Sequence, residues 1–181
     1  MILYRNKLEK ILEESSKKTK IPLSENSLGV EEIEEVMDSL ISGNITMGQK
    51  VEKFEKLFAD YVGTKHAIMV NSGSSANLLA LSILSNPEIK DRIKSKDEVI
   101  VPAVTWSTTV YPIINIGAVP VLVDVKEDYL IDAKEIRKNL TKKTKAIMPV
   151  HLLGNSADMD SVKEIAKENN YFEALSLAYI H

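Results

Sequence analysis

Cysteine is absent from the 181 residues, which removes disulfide frameworks and thiolate metal clusters and fits a reducing compartment. No apolar run approaches the roughly 20 residues that a membrane-spanning helix requires. The opening MILYRNKLEKILEE is charged within five residues, unlike a secretory signal. Charge of one sign is not in excess: 23 basic against 26 acidic residues leave a net −3, which favours neither nucleic acid nor an acidic membrane surface as partner. These absences lead us to expect a soluble, cytoplasmic protein with a small-molecule site. The composition, 44% hydrophobic and 27% charged, suffices for one sizeable core with a smaller appendage.

The N-terminal third is helical and polar. Leu8, Ile11 and Leu12 recur at helical spacing among Lys and Glu, predicting a short amphipathic helix. A loop marked by Pro22, Ser24, Asn26, Ser27 and Gly29 follows. The runs VEEIEEVMDSLISG and KVEKFEKLFADYVG predict two more helices, ending at Gly43 and Gly63. Phe54, Leu57, Phe58 and Tyr61 align on the third, and we expect them in a core.

From Lys65 the pattern alternates. HAIMVNS, DEVIVPAV, AVPVLVDV and KAIMPVHLL read as strands. ANLLALSIL, stopped by Pro87, reads as a helix, as do STTVYPIINIG, with Pro112 in its first turn or at a kink, IDAKEIRKNL capped by Asp132, and DMDSVKEIAKENN with Asp158 or Asp160 near its start. Strands that are apolar throughout, each separated by a helix, predict an α/β fold: three layers around a mainly parallel sheet. Ligands in such sheets sit beyond the carboxyl ends of the strands.

The strand ends are where chemistry is expected. In VNSGSSANLLALSIL, Gly73, Ser74 and Ser75 enter a helix whose first N–H groups and dipole favour an anion, phosphate above all. The turn reads equally as a simple cap by Ser72 or Ser74. Neither a dinucleotide G-x-G-x-x-G nor a triphosphate P-loop is present at this turn. Trp106, the only tryptophan, can stack on a planar ring or lie in the core. Phosphate turn and aromatic platform together suit pyridoxal phosphate better than a nucleotide. His151 in PVHLLG can face a cofactor, carry a proton, or satisfy a loop carbonyl. Asp124 reads as a turn or capping acid. His66 and His181 have no metal-ligand company, so no metal is expected.

The succession GNITMGQKVEKFEKLFADYVGTKHAIMVNSGSSANLLALS, DEVIVPAVTWSTTVYPIINIGAVPVLVDV and TKAIMPVHLLGNSADMDSV resembles the N-terminal part of the DegT/DnrJ/StrS family of pyridoxal-phosphate-dependent enzymes. The likeness runs from about Ile21 to Asn170. It implies a truncated large domain of PLP-dependent transferase fold type I, the aspartate aminotransferase type. Residues 1–28 form an N-terminal arm and loop, 29–170 the domain, and 171–181 an atypical end. By that resemblance Ser74 and Ser75 match positions that contact the cofactor phosphate, and Trp106 matches the aromatic that lies on the pyridine ring; Gly73 and His151 join this expected cofactor set on the reading of the residues alone. Thr46, Met47 and Gly48 match a turn at the substrate entrance.

The activity implied is transfer of an amino group from glutamate to a nucleotide-linked keto sugar, for polysaccharide or lipopolysaccharide biosynthesis, by a homodimer when complete. The chain departs from the pattern after KENN: no lysine can be carried over as the Schiff-base residue, and the acid motif that supplies the aspartate beside the pyridine nitrogen is missing. No catalytic residue is therefore assigned. NSGSSANLLALS and IPLSENS look closer to the sugar dehydratase branch, which uses pyridoxamine phosphate, and a non-catalytic remnant of an interrupted gene is the third reading. The same resemblance implies that HAIMVNS pairs with strands from later in the fold, so the isolated chain is expected to be poorly soluble or partly unfolded and to bind pyridoxal phosphate weakly.

Overall fold

Val99, Ile100 and Val101 show how the sheet is built. Successive side chains of a strand point to opposite faces. Val99 and Val101 accordingly enter one cluster with Leu81, Ile113 and Met148, while Ile100 enters another with Ile136, Ile147 and Ile165. Apolar residues on both faces leave no face for water, so both must be covered by helices. Burying each Val or Ile side chain contributes roughly 1.5–3 kcal/mol.

The computed structural model describes residues 2–16, 28–46, 48–173 and 176–178. They fall in two compact units, Met1–Met69 and Val70–His181. The first holds α1 (Ile2–Ser16), α2 (Val30–Ile41) and α3 (Gln49–Val62), the three helices that the periodicity predicts. Glu32 Oε2 accepts the Gly29 N–H at 2.7 Å and closes the start of α2. At the end of α3, Gly63 adopts φ +80°, which suits a residue without Cβ, and its N–H reaches the Ala59 carbonyl at 2.9 Å.

Two expectations fail in this unit. Phe54, Leu57, Phe58 and Tyr61 are exposed, Tyr61 to 88%, and only Ala59 of α3 is buried. Phe54 and Phe58 stack on each other instead, with centroids 5.7 Å apart. Helical period identifies the apolar face, but burial needs a layer to cover it. HAIMVNS is likewise no strand: residues 66–72 join no ladder, and the Met69 N–H donates to Glu55 Oε1 at 2.8 Å. A strand exists only by pairing, and no described segment pairs with this one.

The second unit begins with α4 (Gly73–Leu84) and continues with β1 (Glu98–Pro102), α5 (Ser107–Asn115), β2 (Val119–Val123), α6 (Ala133–Lys138), β3 (Thr144–Ile147), β4 (Val150–Leu152), α7 (Met159–Asn169), β5 (Phe172–Glu173) and β6 (Ser176–Ala178). Four strands form a sheet in the order β2-β1-β3-β5, every pair parallel. Residues of α4 and α5 belong to the core cluster on one face, and residues of α6 and α7 to that on the other. The three-layer α/β expectation is met. Asp132 Oδ1 accepts the Lys134 N–H at 2.8 Å and Asp158 Oδ1 the Ser161 N–H at 3.1 Å, so the acids capping α6 and α7 are those the sequence indicates. Asp124 Oδ1 accepts the N–H of Val125, a turn acid as expected.

KAIMPVHLL does not make one strand. β3 ends at Ile147 and β4 starts at Val150, pairing with β6 in a separate two-stranded sheet. Pro149 has no N–H to give a ladder, and a proline in a central strand forces such a break. Of the two placements expected for Pro112, the first turn is excluded: it is the sixth residue of α5, inside the helix.

Candidate functional site

Pro112 fixes the geometry of the site's outer wall. Its missing N–H would have bonded the carbonyl four residues earlier, that of Thr108. That carbonyl accepts the side-chain N–H of Asn77 at 3.2 Å instead. One amide on α4 therefore ties the first turns of α4 and α5 together, and both helix N-termini open on the carboxyl side of the parallel sheet. Ser74, Ser75, Leu78, Thr108 and Tyr111 line a small cavity of about 210 Å³ between them.

At the mouth of α4, Ser72 is the cap: its hydroxyl oxygen accepts the Ser75 N–H at 3.1 Å. The Ser75 hydroxyl donates to Asn71 Oδ1 at 2.6 Å and accepts from the Ser72 hydroxyl at 3.1 Å. The Ala76 N–H bonds the Ser72 carbonyl. Capping thus accounts for Ser72 and for the amide and hydroxyl of Ser75. The Gly73 and Ser74 amides and the Ser74 hydroxyl are not engaged by any described residue, and a Cβ built on Gly73 would meet nothing within 4 Å. Two amides and a hydroxyl at the positive end of a twelve-residue helix can take an anion.

Trp106 is the N-cap residue of α5 and its side chain is 57% exposed, so it does not lie in the core. Behind it Thr105 donates its hydroxyl to Thr109, which is buried. His151 lies in β4 at half burial. Because Ile100 is level with Ile147 in the β1–β3 pairing, continuing that register sets Pro102 level with Pro149. His151 and Trp106 both come after the same edge. The Nδ1 of His151 accepts the backbone N–H of Ala157 at 3.0 Å; its partner is an amide donor rather than a loop carbonyl.

Thr46 and Gly48 belong to the other unit, where they line a cleft of about 540 Å³ with Glu35, Asp38 and Lys50. Met47 lies outside the described residues. Lys50 Nζ bonds Glu35 Oε2 at 2.6 Å and Asp38 Oδ2 at 3.0 Å, and these bonds, Glu35 first, raise its pKa. Among the described residues no group of three or more His, Asp or Glu could hold a metal ion, and no helix is long and apolar enough to cross a membrane.

Asn71, Thr108 and the Ala157 amide are parts of this region that sequence reasoning missed, whereas Ser72 is the cap it offered. A signal existed for one of them. A proline inside a helix frees a carbonyl four residues back, so Pro112 pointed to Thr108.

Comparison with known proteins gives the following. The model of the DegT/DnrJ/EryC1/StrS aminotransferase family matches residues 26–172. The GDP-4-keto-6-deoxy-D-mannose 3-dehydratase of Yersinia pseudotuberculosis is 40% identical over 152 residues, covering 83% of this chain and 38% of its own. The spore coat polysaccharide biosynthesis protein SpsC of Bacillus subtilis is 42% identical over 153 residues, 84% of this chain and 38% of its own. A crystal structure of a GDP-4-keto-6-deoxymannose-3-dehydratase with a trapped PLP-glutamate geminal diamine superposes with a TM-score of 0.81 at 35% identity, over 87% of this chain and 41% of that one. The chain spans about 38% of the length of the curated relatives it matches.

Proposed function

Since the chain belongs to the DegT/DnrJ/EryC1/StrS aminotransferase family, with the fold type I architecture of its PLP-dependent sugar enzymes, we propose that it forms the cofactor-phosphate half of an enzyme that uses pyridoxal or pyridoxamine phosphate to act on a nucleotide-linked keto sugar in polysaccharide biosynthesis. The observation that carries this reading is the mouth of α4, where the Gly73 and Ser74 amides and the Ser74 hydroxyl stand open beside the α5 terminus that presents Trp106. The residues fit the cofactor. A phosphate matches the anion-binding helix end, and an exposed indole on the same edge supplies a flat apolar surface for a pyridine ring.

Gly73 and Ser74 hold the phosphate through their amides, Ser74 adds its hydroxyl, and the Ser72–Ser75–Asn71 hydrogen bonds keep that turn in shape. Trp106 limits the tilt of the ring. Once bound, the cofactor supplies an electron sink next to the sugar carbon that reacts. Thr46, Met47 and Gly48 serve the substrate entrance. The arm 1–28, the domain 29–170 and the end 171–181 are the corresponding parts of the chain.

Two chemistries share this half. Loss of the sugar 3-hydroxyl is supported by the GDP-keto-sugar 3-dehydratases, which supply both the curated relative at 40% identity and the structure at TM-score 0.81. Amino transfer from glutamate, the reading made from sequence, is supported by the family model itself. The decisive test titrates the chain with pyridoxamine phosphate and follows cofactor fluorescence. Saturable binding that Ser74→Ala weakens and Trp106→Ala weakens further is expected; binding indifferent to both substitutions would reject the site. Incubation of a polypeptide spanning the relatives' full length with a GDP-linked 4-keto-6-deoxy sugar then separates the chemistries: a 3-deoxy product signals dehydration, a 4-amino sugar amino transfer.

A further inference from the structure

Two neighbouring turns at the amino-terminal ends of the strands each present a pair of lysines: Lys94 and Lys96 before β1, Lys142 and Lys143 before β3, all four exposed. The Glu98 N–H bonds the Lys143 carbonyl at 2.8 Å, and Glu98 pairs with Thr144, which sets the turns side by side. Both are closed. The Asp97 N–H bonds the Lys94 carbonyl at 3.0 Å, and Asp97 Oδ2 accepts the Lys94 N–H at 2.7 Å. The Thr141 N–H bonds the Thr144 hydroxyl at 3.0 Å, and the Thr144 N–H the Thr141 carbonyl at 3.2 Å. None of the four lysines makes an ion pair with a described residue. The acids next to them, Asp97 and Glu98, are half-buried, and Glu98 accepts the hydroxyls of Thr141 and Thr144. Lys90 and Arg92 offset Glu88 and Asp91 in the same connection. At the opposite ends of the strands, the loops after β2 and β4 hold Asp124, Glu127, Asp128, Asp132 and Asp158 against Lys126 alone. The net charge of −3 thus averages a positive rim and a negative one.

We infer that this rim, through Lys94, Lys96, Lys142 and Lys143, docks on the surface of an anionic lipid bilayer and turns the Trp106 edge away from it. Closed turns hold the four ammonium groups toward one end of the sheet, where they meet a field of headgroup charge together; each lysine near such a surface raises partition about fivefold. Residues 87–98 and 141–145 contain no aromatic side chain on which a nucleic-acid base could stack. Lysine is also a point charge, without the fork of donors that arginine offers a single phosphate. The contact is peripheral, since no described helix is long and apolar enough to cross a membrane. The same lipids repel the acids of the opposite rim, which selects the end that faces them. This surface is separate from the mouth of α4 and stands whether or not that mouth takes a cofactor.

Flotation of the full chain with large unilamellar vesicles tests the docking. Vesicles containing phosphatidylglycerol are expected to carry the chain with them, and vesicles of phosphatidylcholine alone to leave it behind. Salt above physiological strength is expected to release it, as screening cuts the reach of the field to under about 8 Å. Lys142→Gln with Lys143→Gln is expected to lower partition roughly twentyfold. Lys163→Gln with Lys167→Gln removes the same charge from exposed positions of α7 and is expected to change partition far less. Trp106 emission is expected to ignore brominated lipids, because β1, five residues long, sets it about 17 Å beyond the turns at roughly 3.4 Å per residue. Equal flotation on neutral vesicles, none on anionic ones, equal losses in the two paired variants, or quenching of Trp106 by brominated lipid would each overturn the docking. So would tighter binding to duplex DNA than to anionic vesicles at equal phosphate concentration, which would assign the rim to nucleic acid instead.

Discussion

Thr108 and Asp158 show how single polar groups decide local structure. Asn77→Ala leaves the Thr108 carbonyl without its α4 partner and is expected to cost about 1 kcal/mol in urea denaturation. Pro112→Ala restores the backbone N–H for that carbonyl, so Asn77→Ala is expected to cost less in the Pro112→Ala background; additive costs in the double-mutant cycle would refute the link. The Asp158 carboxylate accepts the hydroxyl and the N–H of Ser161, and these bonds, the hydroxyl first, hold its pKa below the usual carboxylate range. A depressed folded pKa adds stability above the unfolded value of about 3.9 that is lost as pH falls through the folded one. Denaturation midpoints should therefore drop on acidification below about pH 4, with a shallower slope in Asp158→Asn, which retains a capping oxygen. Asp128 shifts the same way, through the Leu130 N–H and then Lys126, so the slope will not vanish. The caps at Asp132 and Asp158 were legible in sequence because each acts within three residues. The Ala157–His151 bond was not, because only the turn brings its ends together.

Among the elements, α4 is the helix that the sequence describes, but it is only partly covered. Leu81 is fully buried, yet Leu78, Leu79 and Ile83 on the same helix remain partly open. ANLLALSIL is apolar on more than one side, and the described residues cover only one of them. Ile147→Ala in β3 is expected to cost about 2–5 kcal/mol because its cavity lies between sheet and helices. Leu79→Gln should cost far less and improve solubility, measured by the concentration at which the chain precipitates. The parallel sheet and its two helical layers were readable from apolar runs of the right length. The failure of HAIMVNS to form a strand was not, since a strand's existence depends on a neighbour that period cannot report. The break at Pro149 could have been read, because a proline's effect on a ladder is local.

For the whole molecule, exposed Phe54, Phe58, Tyr61, Ile68 and Met69 in one unit and the open α4 side in the other exceed what scattered surface hydrophobes explain. The chain should bind a hydrophobic dye and self-associate as concentration rises, both visible by fluorescence and light scattering; a dye-silent monomer at high concentration would contradict this. All four main strands run the same way, which divides the molecule's chemistry between two rims. At the amino-terminal rim, the exposed Thr141–Lys143 turn is held by Thr141 and Glu98, at the opposite ends of the strands from Trp106 and His151. That rim is the natural place for a handle: a peptide tag or fluorophore introduced at Lys142 can report on the cofactor edge without standing in its doorway.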